Sequence, residues 1–334
     1  MILITGATGW LGQRLILSVQ DQYPTLPIRV LIRPGEPIPS SWAGRIEWVA
    51  GDLTNPDSLS AFFGQAEGGI LFHCAGVIHP RRVADFYRVN QHGTRTLLTL
   101  ASQAKVKRAV VVSSNSPCGC NPHPHHRFDE SSPYHPYMHY GRSKMLMEQV
   151  VHEIAQTHAL ETVIIRAPWF YGPGQPDRQV TFFRMIQEGR VPLLGKGDNQ
   201  RSMAYVDELA NGLVLAAYSP KAAGQTYWIA DEQPYRMTTI IDTIEQVLST
   251  SFGRQVAHRR IHLPAWIGDV AMGCDALIQW VGWYHQKIHV LSEMNKTIAC
   301  CTQKARQELG FQPSVTLEEG MRRSIQWAID HQQF

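Results

Sequence analysis

Two short stretches of this chain carry residue types that could do chemistry together. The first is Thr5-Gly6-Ala7-Thr8-Gly9-Trp10-Leu11-Gly12. Glycine allows a tight turn and a close backbone approach. A helix opening at the end of that turn offers free N–H groups and a favourable dipole to an anion. In a strand–turn–helix setting this is a pyrophosphate site, with Gly6, Thr8, Gly9, Trp10, Leu11 and Gly12 as the cofactor-binding residues. The second stretch is Tyr140-Gly141-Arg142-Ser143-Lys144. Four residues apart on a helix, Tyr140 and Lys144 share a face. A free phenol ionises near pH ~10, too high for a base at neutral pH. A nearby ammonium favours the phenolate and lowers that value. Such a phenol can exchange a proton with a reacting oxygen.

These residues need a scaffold. Short runs rich in Val, Ile and Leu at 2–5, 28–32, 46–49, 70–73, 109–113 and 162–166 read as strands buried on both faces. Helix-like segments lie between them near 10–21, 56–63, 82–103 and 137–158. The alternation predicts an α/β fold, a doubly wound parallel sheet of the Rossmann type. After Arg166 the rhythm breaks into a stretch rich in Pro, Gly and aromatics. A helix at 206–218, a strand at 226–230 and a helix at 237–250 follow. The reading is a dinucleotide-binding domain over 1–165. A smaller, mainly substrate-binding lobe covers 166–334, with elements near 200–230 returning to the first domain.

The end of the second strand bears on the cofactor. NAD binders usually place an acid there for the ribose 2′-hydroxyl. Here the run is Leu31-Ile32-Arg33-Pro34, with no acid before Glu36. Arg33 could fork onto a 2′-phosphate, so NADP is the expected cofactor and NAD the alternative. Asp52, with Leu53 beside it after the third strand, is placed to meet the adenine edge.

Further motifs fall in order along the chain. Val89-Asn90-Gln91-His92-Gly93-Thr94 lies in the helix after the fourth strand, and Val112-Ser113-Ser114-Asn115-Ser116 ends the fifth. Arg166-Ala167-Pro168-Trp169-Phe170-Tyr171-Gly172, Arg201 to Asp207, and Lys304 to Pro313 follow. With the glycine turn and the Tyr–Lys pair, nearly the whole chain resembles the extended short-chain dehydrogenase/reductase family. The resemblance implies hydride transfer between a nicotinamide and a secondary alcohol or ketone. Tyr140 would be the acid or base, Lys144 would depress its pKa and hold the nicotinamide ribose, and Ser114 would bond the substrate oxygen. Asn90 would support the helix or a water in the proton path, or serve structure alone. His73, Ala75 and Gly76 would line the cofactor ribose. Ser113, Pro168 and Phe170 would also contact the cofactor.

Within this family the same core serves plain redox chemistry, as in hydroxysteroid, sterol and dihydroflavonol enzymes. It also serves nucleotide-sugar epimerases and dehydratases that keep NAD bound. Arg33 favours NADP-linked redox on an apolar or ring-bearing small molecule. Arg201 leans the other way, toward a diphosphate. A cofactor-sensing regulator is a third, non-enzymatic reading, weakened by the complete Ser–Tyr–Lys set. The substrate candidates are His79, Ser116, His139, Trp169 and Arg201.

Leu263, Ile267, Val270, Cys274, Leu277 and Val281 make a helical apolar stripe flanked by Trp266, Trp280 and Trp283. It predicts a helix packed on its own lobe. A lid over a greasy substrate, or peripheral membrane contact through 261–283, is the alternative. Five histidines crowd 123–139, but no helical H-x-x-x-H or C-x-x-C pairing accompanies them, so no metal is expected.

Composition sets the outer bounds. The chain has 334 residues, long enough for a substantial core. Its net charge is +3, without the concentrated basic footprint of a nucleic-acid binder. Six scattered cysteines form no disulfide framework. No run of apolar residues is long enough to span a bilayer, and Met1 leads straight into a strand-like run without a basic leader. The expectation is a cytoplasmic enzyme with a small-molecule substrate. A homodimer through 82–103 and 137–158 is expected from the resemblance alone.

Overall fold

A computed structural model describes residues 1–334. Its centre is a seven-stranded, all-parallel sheet. In chain order the strands are β1 (Ile2–Thr5), β2 (Ile28–Ile32), β3 (Glu47–Ala50), β4 (Ile70–His73), β5 (Arg108–Ser114), β6 (Glu161–Ala167) and, after several small strands, β11 (Thr226–Trp228). Their spatial order is β3-β2-β1-β4-β5-β6-β11. The order reverses between β1 and β4. The crevice at that switch point, outside the carboxyl ends of the strands, is where such sheets bind nucleotides.

The inner strands are buried along their lengths, as their unbroken apolar runs require. β3 departs from the reading. It starts one residue later and is mostly exposed, because it is an edge strand covered on neither face as fully as the rest. The 56–63 segment is two short 3₁₀ turns rather than an α-helix. One side of the sheet is covered by α1 (Trp10–Gln22) and α6 (Val206–Tyr218). The other side carries α3 (Thr94–Gln103) and α4 (Met138–Thr157). The short α2 (Val83–Asp85) runs into α3 through a π-wound turn, Phe86–Gly93.

Past β6 the chain builds a second apolar cluster. It packs α5 (Asp177–Gln187), α7 (Met237–Thr250) and α11 (Leu317–Asp330) around Tyr171, Tyr205 and Phe183. The short strands β7 (Trp169–Tyr171) and β10 (Met203–Tyr205) pair in parallel beneath it. β8 (Pro192–Leu194) pairs with β13 (Ile261–Leu263), and β9 (Gln200–Arg201) with β12 (Tyr235–Arg236). α10 (Gln303–Leu309) returns to the main sheet beside β11, placing Ala305 and Leu309 in the first core.

α8 (Trp266–Trp280) and α9 (Gln286–Glu293) form a pair against α4. Here the sequence expectation fails. α8 buries Gly268, Ala271, Asp275 and Gln279, and turns its apolar stripe outward. Val270, Cys274, Leu277 and Val281 all face solvent. The stripe does not pack on its own lobe.

Candidate active site

The glycine turn is shaped by close backbone approach. Gly6 has φ +69°, and a Cβ there would sit 2.6 Å from the Ala75 amide nitrogen. A Cβ on Gly12 would sit 2.1 Å from the Gly6 carbonyl oxygen. No residue larger than glycine fits either place. α1 begins at Trp10 with Gly9 as its N-cap, and no side chain caps it. The N–H groups of its first turn are therefore free for an anion, which fits a dinucleotide pyrophosphate. Trp10 serves mainly as a wedge. Its indole N–H donates to the Pro173 carbonyl at 2.8 Å, and its ring packs 4.7 Å from that of Phe170. Leu11 is buried beneath the turn.

At the end of β2 the arrangement is richer than the sequence suggests. Arg33 is 64% exposed and pairs with Glu36 at 3.1 Å. Glu36 also accepts a 2.8 Å hydrogen bond from the Thr8 hydroxyl, so an acid curls back to the glycine turn after all. Asp52 lies in the same neighbourhood. Burial raises its pKa, but the Thr54 N–H and hydroxyl, with Arg33 and Arg88 nearby, hold it below the usual carboxylate range. Leu53 is buried against Gly93.

Two expected cofactor contacts are occupied by the protein itself. His73 is buried, with Nδ1 2.7 Å from the Thr5 hydroxyl and Nε2 2.8 Å from that of Thr94. Burial, aided by Lys144, pushes its pKa down to about 3, so it is a neutral brace between β1, β4 and α3. The Ser113 hydroxyl donates at 2.5 Å to Glu148 in the interior. Glu148 in turn forms a buried ion pair with Arg166 at 2.8 Å. The Ser113 side chain is thus taken up by the wall behind the site. Ala75 and Gly76 remain on the loop leaving β4, and that loop is set by Asn90. The Asn90 amide donates at 3.0 Å to the Val77 carbonyl and accepts at 2.9 Å from its N–H. Its Nδ2 also donates to Ser143 at 3.0 Å. Asn90 sits in the π-wound turn, a distortion that recurs at functional sites.

The Tyr–Lys pair lies in the first two turns of α4, with Lys144 buried and Tyr140 half-buried. Ser114 ends β5, its hydroxyl 3.3 Å from that of Ser116, and both are buried. Burial pushes Tyr140 up to about 12, against opposing pulls from a hydrogen bond with Ser114 and the charge of Arg178. The expected depression by Lys144 is not seen in this arrangement. The Lys144 ammonium instead donates to the Val112 carbonyl at 2.8 Å and lies 3.1 Å from the Met147 sulfur. Burial lowers Lys144 to about 8, with Glu148 and Cys74 resisting.

The roof over Tyr140 comes from distant segments. The Phe86 ring lies 5.7 Å from Tyr140 and 5.3 Å from Tyr284. The His79 Nδ1 is 2.8 Å from the Tyr284 hydroxyl, and burial pushes His79 down to about 4. His139 meets the Tyr87 hydroxyl at 2.5 Å. The inverted face of α8 has its purpose here. Gln279 accepts the His139 N–H at 3.1 Å, satisfying a first-turn donor of the helix that carries Tyr140. Asp275 holds Gln279 at 2.9 Å and His289 at 2.7 Å. Tyr137, the N-cap of α4, donates to Ser292 on α9 at 2.8 Å.

Two substrate candidates are held by other contacts. Trp169 packs edge-on against Phe182, 5.8 Å away. Arg201 donates at 2.5 Å to the Glu293 carbonyl, a strut between β9 and α9. Pro168 is buried at the end of β6. Arg178, which sequence reading missed, weighs on Tyr140, Tyr284 and His79 from the first turn of α5 and has no ion-pair or hydrogen-bond partner. Its position follows from the fold alone, since no local motif marks it. All six cysteines are free, and no three His, Cys, Asp or Glu side chains cluster as metal ligands. No helix is long and apolar enough to cross a membrane.

The model of the NAD dependent epimerase/dehydratase family matches residues 2–230. The chain belongs to that family. Its members and relatives of the extended short-chain type make this an NAD(P)-dependent enzyme. Over its full length the chain is 48% identical to the uncharacterised protein y4nL of Sinorhizobium fredii, covering 96% of it. It is 27% identical to the decarboxylating sterol-4-alpha-carboxylate 3-dehydrogenase of Candida albicans, over 98% of this chain and 97% of that one. It is 25% identical to the N-acetyl-alpha-D-glucosaminyl-diphospho-ditrans,octacis-undecaprenol 4-epimerase of Escherichia coli, over 99% and 96%. The fold matches that of dTDP-glucose 4,6-dehydratase from Bacillus anthracis, solved with NAD, at TM-score 0.79 and 20% identity, over 100% and 97%.

Proposed function

We propose that this family member is an NADP-dependent oxidoreductase acting on a secondary alcohol or ketone of an apolar or ring-bearing molecule. The observation that carries the reading is the state of its two arginines. Arg33 stands 64% exposed beside the glycine turn with Glu36 as its ion-pair partner, while Arg201 is half-buried and donates to the Glu293 carbonyl. The roof of Phe86 and Tyr284 over Tyr140 suits an apolar ring. The name of one relative, a sterol-4-alpha-carboxylate 3-dehydrogenase, speaks of redox on a ring-bearing lipid.

The glycine turn and the free first turn of α1 would hold the pyrophosphate, and Arg33 the 2′-phosphate once it leaves Glu36. When bound, the nicotinamide supplies or accepts the hydride. Tyr140, a phenol protonated at neutral pH and pushed further up by burial, delivers a proton to the substrate oxygen in reduction and takes it back in oxidation. Ser114 bonds that oxygen as charge develops on it. Lys144 is the cation that can turn from Val112 toward the Tyr140 side of the site and favour the phenolate.

A second reading, a nucleotide-sugar epimerase holding NAD, is favoured by one observation: Glu36 beside Thr8 offers a ribose the acid that NAD binders use. The two separate on a panel of cyclic ketones and alcohols assayed for NADPH or NADP turnover. Turnover on apolar rings supports the proposal. Interconversion of UDP-sugars by protein purified with NAD retained, without net turnover of added cofactor, overturns it.

A further inference from the structure

We propose that the outer face of α8 is a docking surface for an anionic lipid bilayer. Trp266, Val270, Leu277, Trp280, Val281 and Trp283 form an apolar run along the outside of the α8–α9 pair. Leu277 is 67% and Trp280 82% exposed, values that an ordinary water-facing helix reserves for polar side chains. The only charged residue exposed along α8 is Asp269, and Lys296 neutralises it at 2.8 Å. The buried face is meanwhile polar and committed. Asp275 and Gln279 hold His289 and the first turn of α4, so the helix cannot rotate to bury its apolar side without orphaning them. The exposed stripe is a stable feature of the fold.

Charge and composition select the occupant. Arg82 bridges to Trp283, and Arg81 accepts the Tyr284 N–H through its carbonyl, which places both arginines at the tryptophan end of the stripe. Arg81, Arg82 and Lys287 are exposed, and none has an ion-pair partner. Tryptophans at the margins of an apolar band with unpaired basic residues beside them match the layering of a bilayer interface, aromatic at the headgroups and cationic toward anionic lipid. A second copy fits less well. A two-fold contact with its axis at this end would set the same cations together, and one between antiparallel helices would set them against the partner's apolar end, where Asp269 is already taken by Lys296. The surface is also one layer from the chemistry, because Tyr284 follows Trp283 directly and contacts Phe86, which contacts Tyr140.

The test uses the full chain with vesicles of phosphatidylcholine alone and of phosphatidylcholine mixed with phosphatidylglycerol. The protein should sediment with the mixed vesicles, less so as salt rises, and weakly with phosphatidylcholine alone. The triple variant Leu277→Ser/Trp280→Ser/Trp283→Ser should lower the bound fraction about tenfold or more, while its melting temperature and NADPH affinity stay at wild-type values. A polarity-sensitive dye on Cys274, the one exposed cysteine, should shift to the blue on mixed vesicles. Three outcomes would overturn the proposal: no association with anionic vesicles, association that survives the triple variant, or a solution dimer that the same variant splits. No substrate is involved, so the result stands apart from the redox reading.

Discussion

α4 and α8 meet at the active site and solve the same problem in opposite ways. α4 turns Met147, Val150, Val151 and Ile154 into the core and buries two charged residues, Lys144 in the site and Glu148 against Arg166. α8 sinks Asp275 and Gln279 inward and leaves its large apolar side chains outside. An apolar stripe therefore does not by itself mark the side of a helix that meets its own protein. Which medium covers the stripe is decided by what the opposite face must do. In α8 the polar face must satisfy the first turn of α4.

Substitutions on the two helices have unequal effects. The largest effect is chemical. Tyr140→Phe should reduce turnover by about 10²–10⁴ while leaving NADPH affinity intact, since only the proton is removed. Turnover within tenfold of wild type would displace Tyr140 from its role. Next is the α4 wall. Glu148→Ala leaves the Arg166 guanidinium and the Ser113 hydroxyl buried without their acceptor, and should cost about 3–5 kcal/mol in a denaturant melt. On α8, Asp275→Ala should cost about 1–3 kcal/mol, because Gln279 and His289 lose their acceptor. Leu277→Ser, two residues along the same helix, should stay within about 0.5 kcal/mol of wild type. If Leu277→Ser costs more than Asp275→Ala, the inverted packing is wrong. A pH profile adds a kinetic counterpart. Lys144 is lowered by burial to about 8, so it is mostly charged at neutral pH and loses its proton as pH rises through that value. The kcat/KM of the free enzyme should therefore fall above pH about 8, and Lys144→Met should abolish that limb.

Much of the fold was legible because its signals are local. The strands from β1 to β6 are short apolar runs. The glycine spacing and the Tyr140–Lys144 spacing each lie within one turn-length of chain. What escaped depends on where side chains turn once packed. Glu36 follows the end of β2 by too many residues to look like its acid, yet the turn at Arg33–Glu36 brings it to Thr8. His73 looked like a cofactor contact, but Thr5 and Thr94 use both of its nitrogens. Ser113 and Ser114 are adjacent, and strand alternation sends Ser113 to Glu148 while Ser114 stays with Ser116. Arg178 acts on Tyr140 through its charge and Tyr284 through Phe86, both across long sequence separations with no motif to announce them.

Tyr140 is proposed to serve net hydride exchange between added NADPH and an apolar carbonyl. The decisive measurement follows the label from NADPH deuterated at the transferable position of the nicotinamide. With a cyclic ketone turned over by the purified enzyme, deuterium should appear on the carbinol carbon of the alcohol, and Tyr140→Phe should abolish its formation. A reaction that inverts a sugar carbon with no label from added cofactor, relying on NAD carried through purification, would contradict the account.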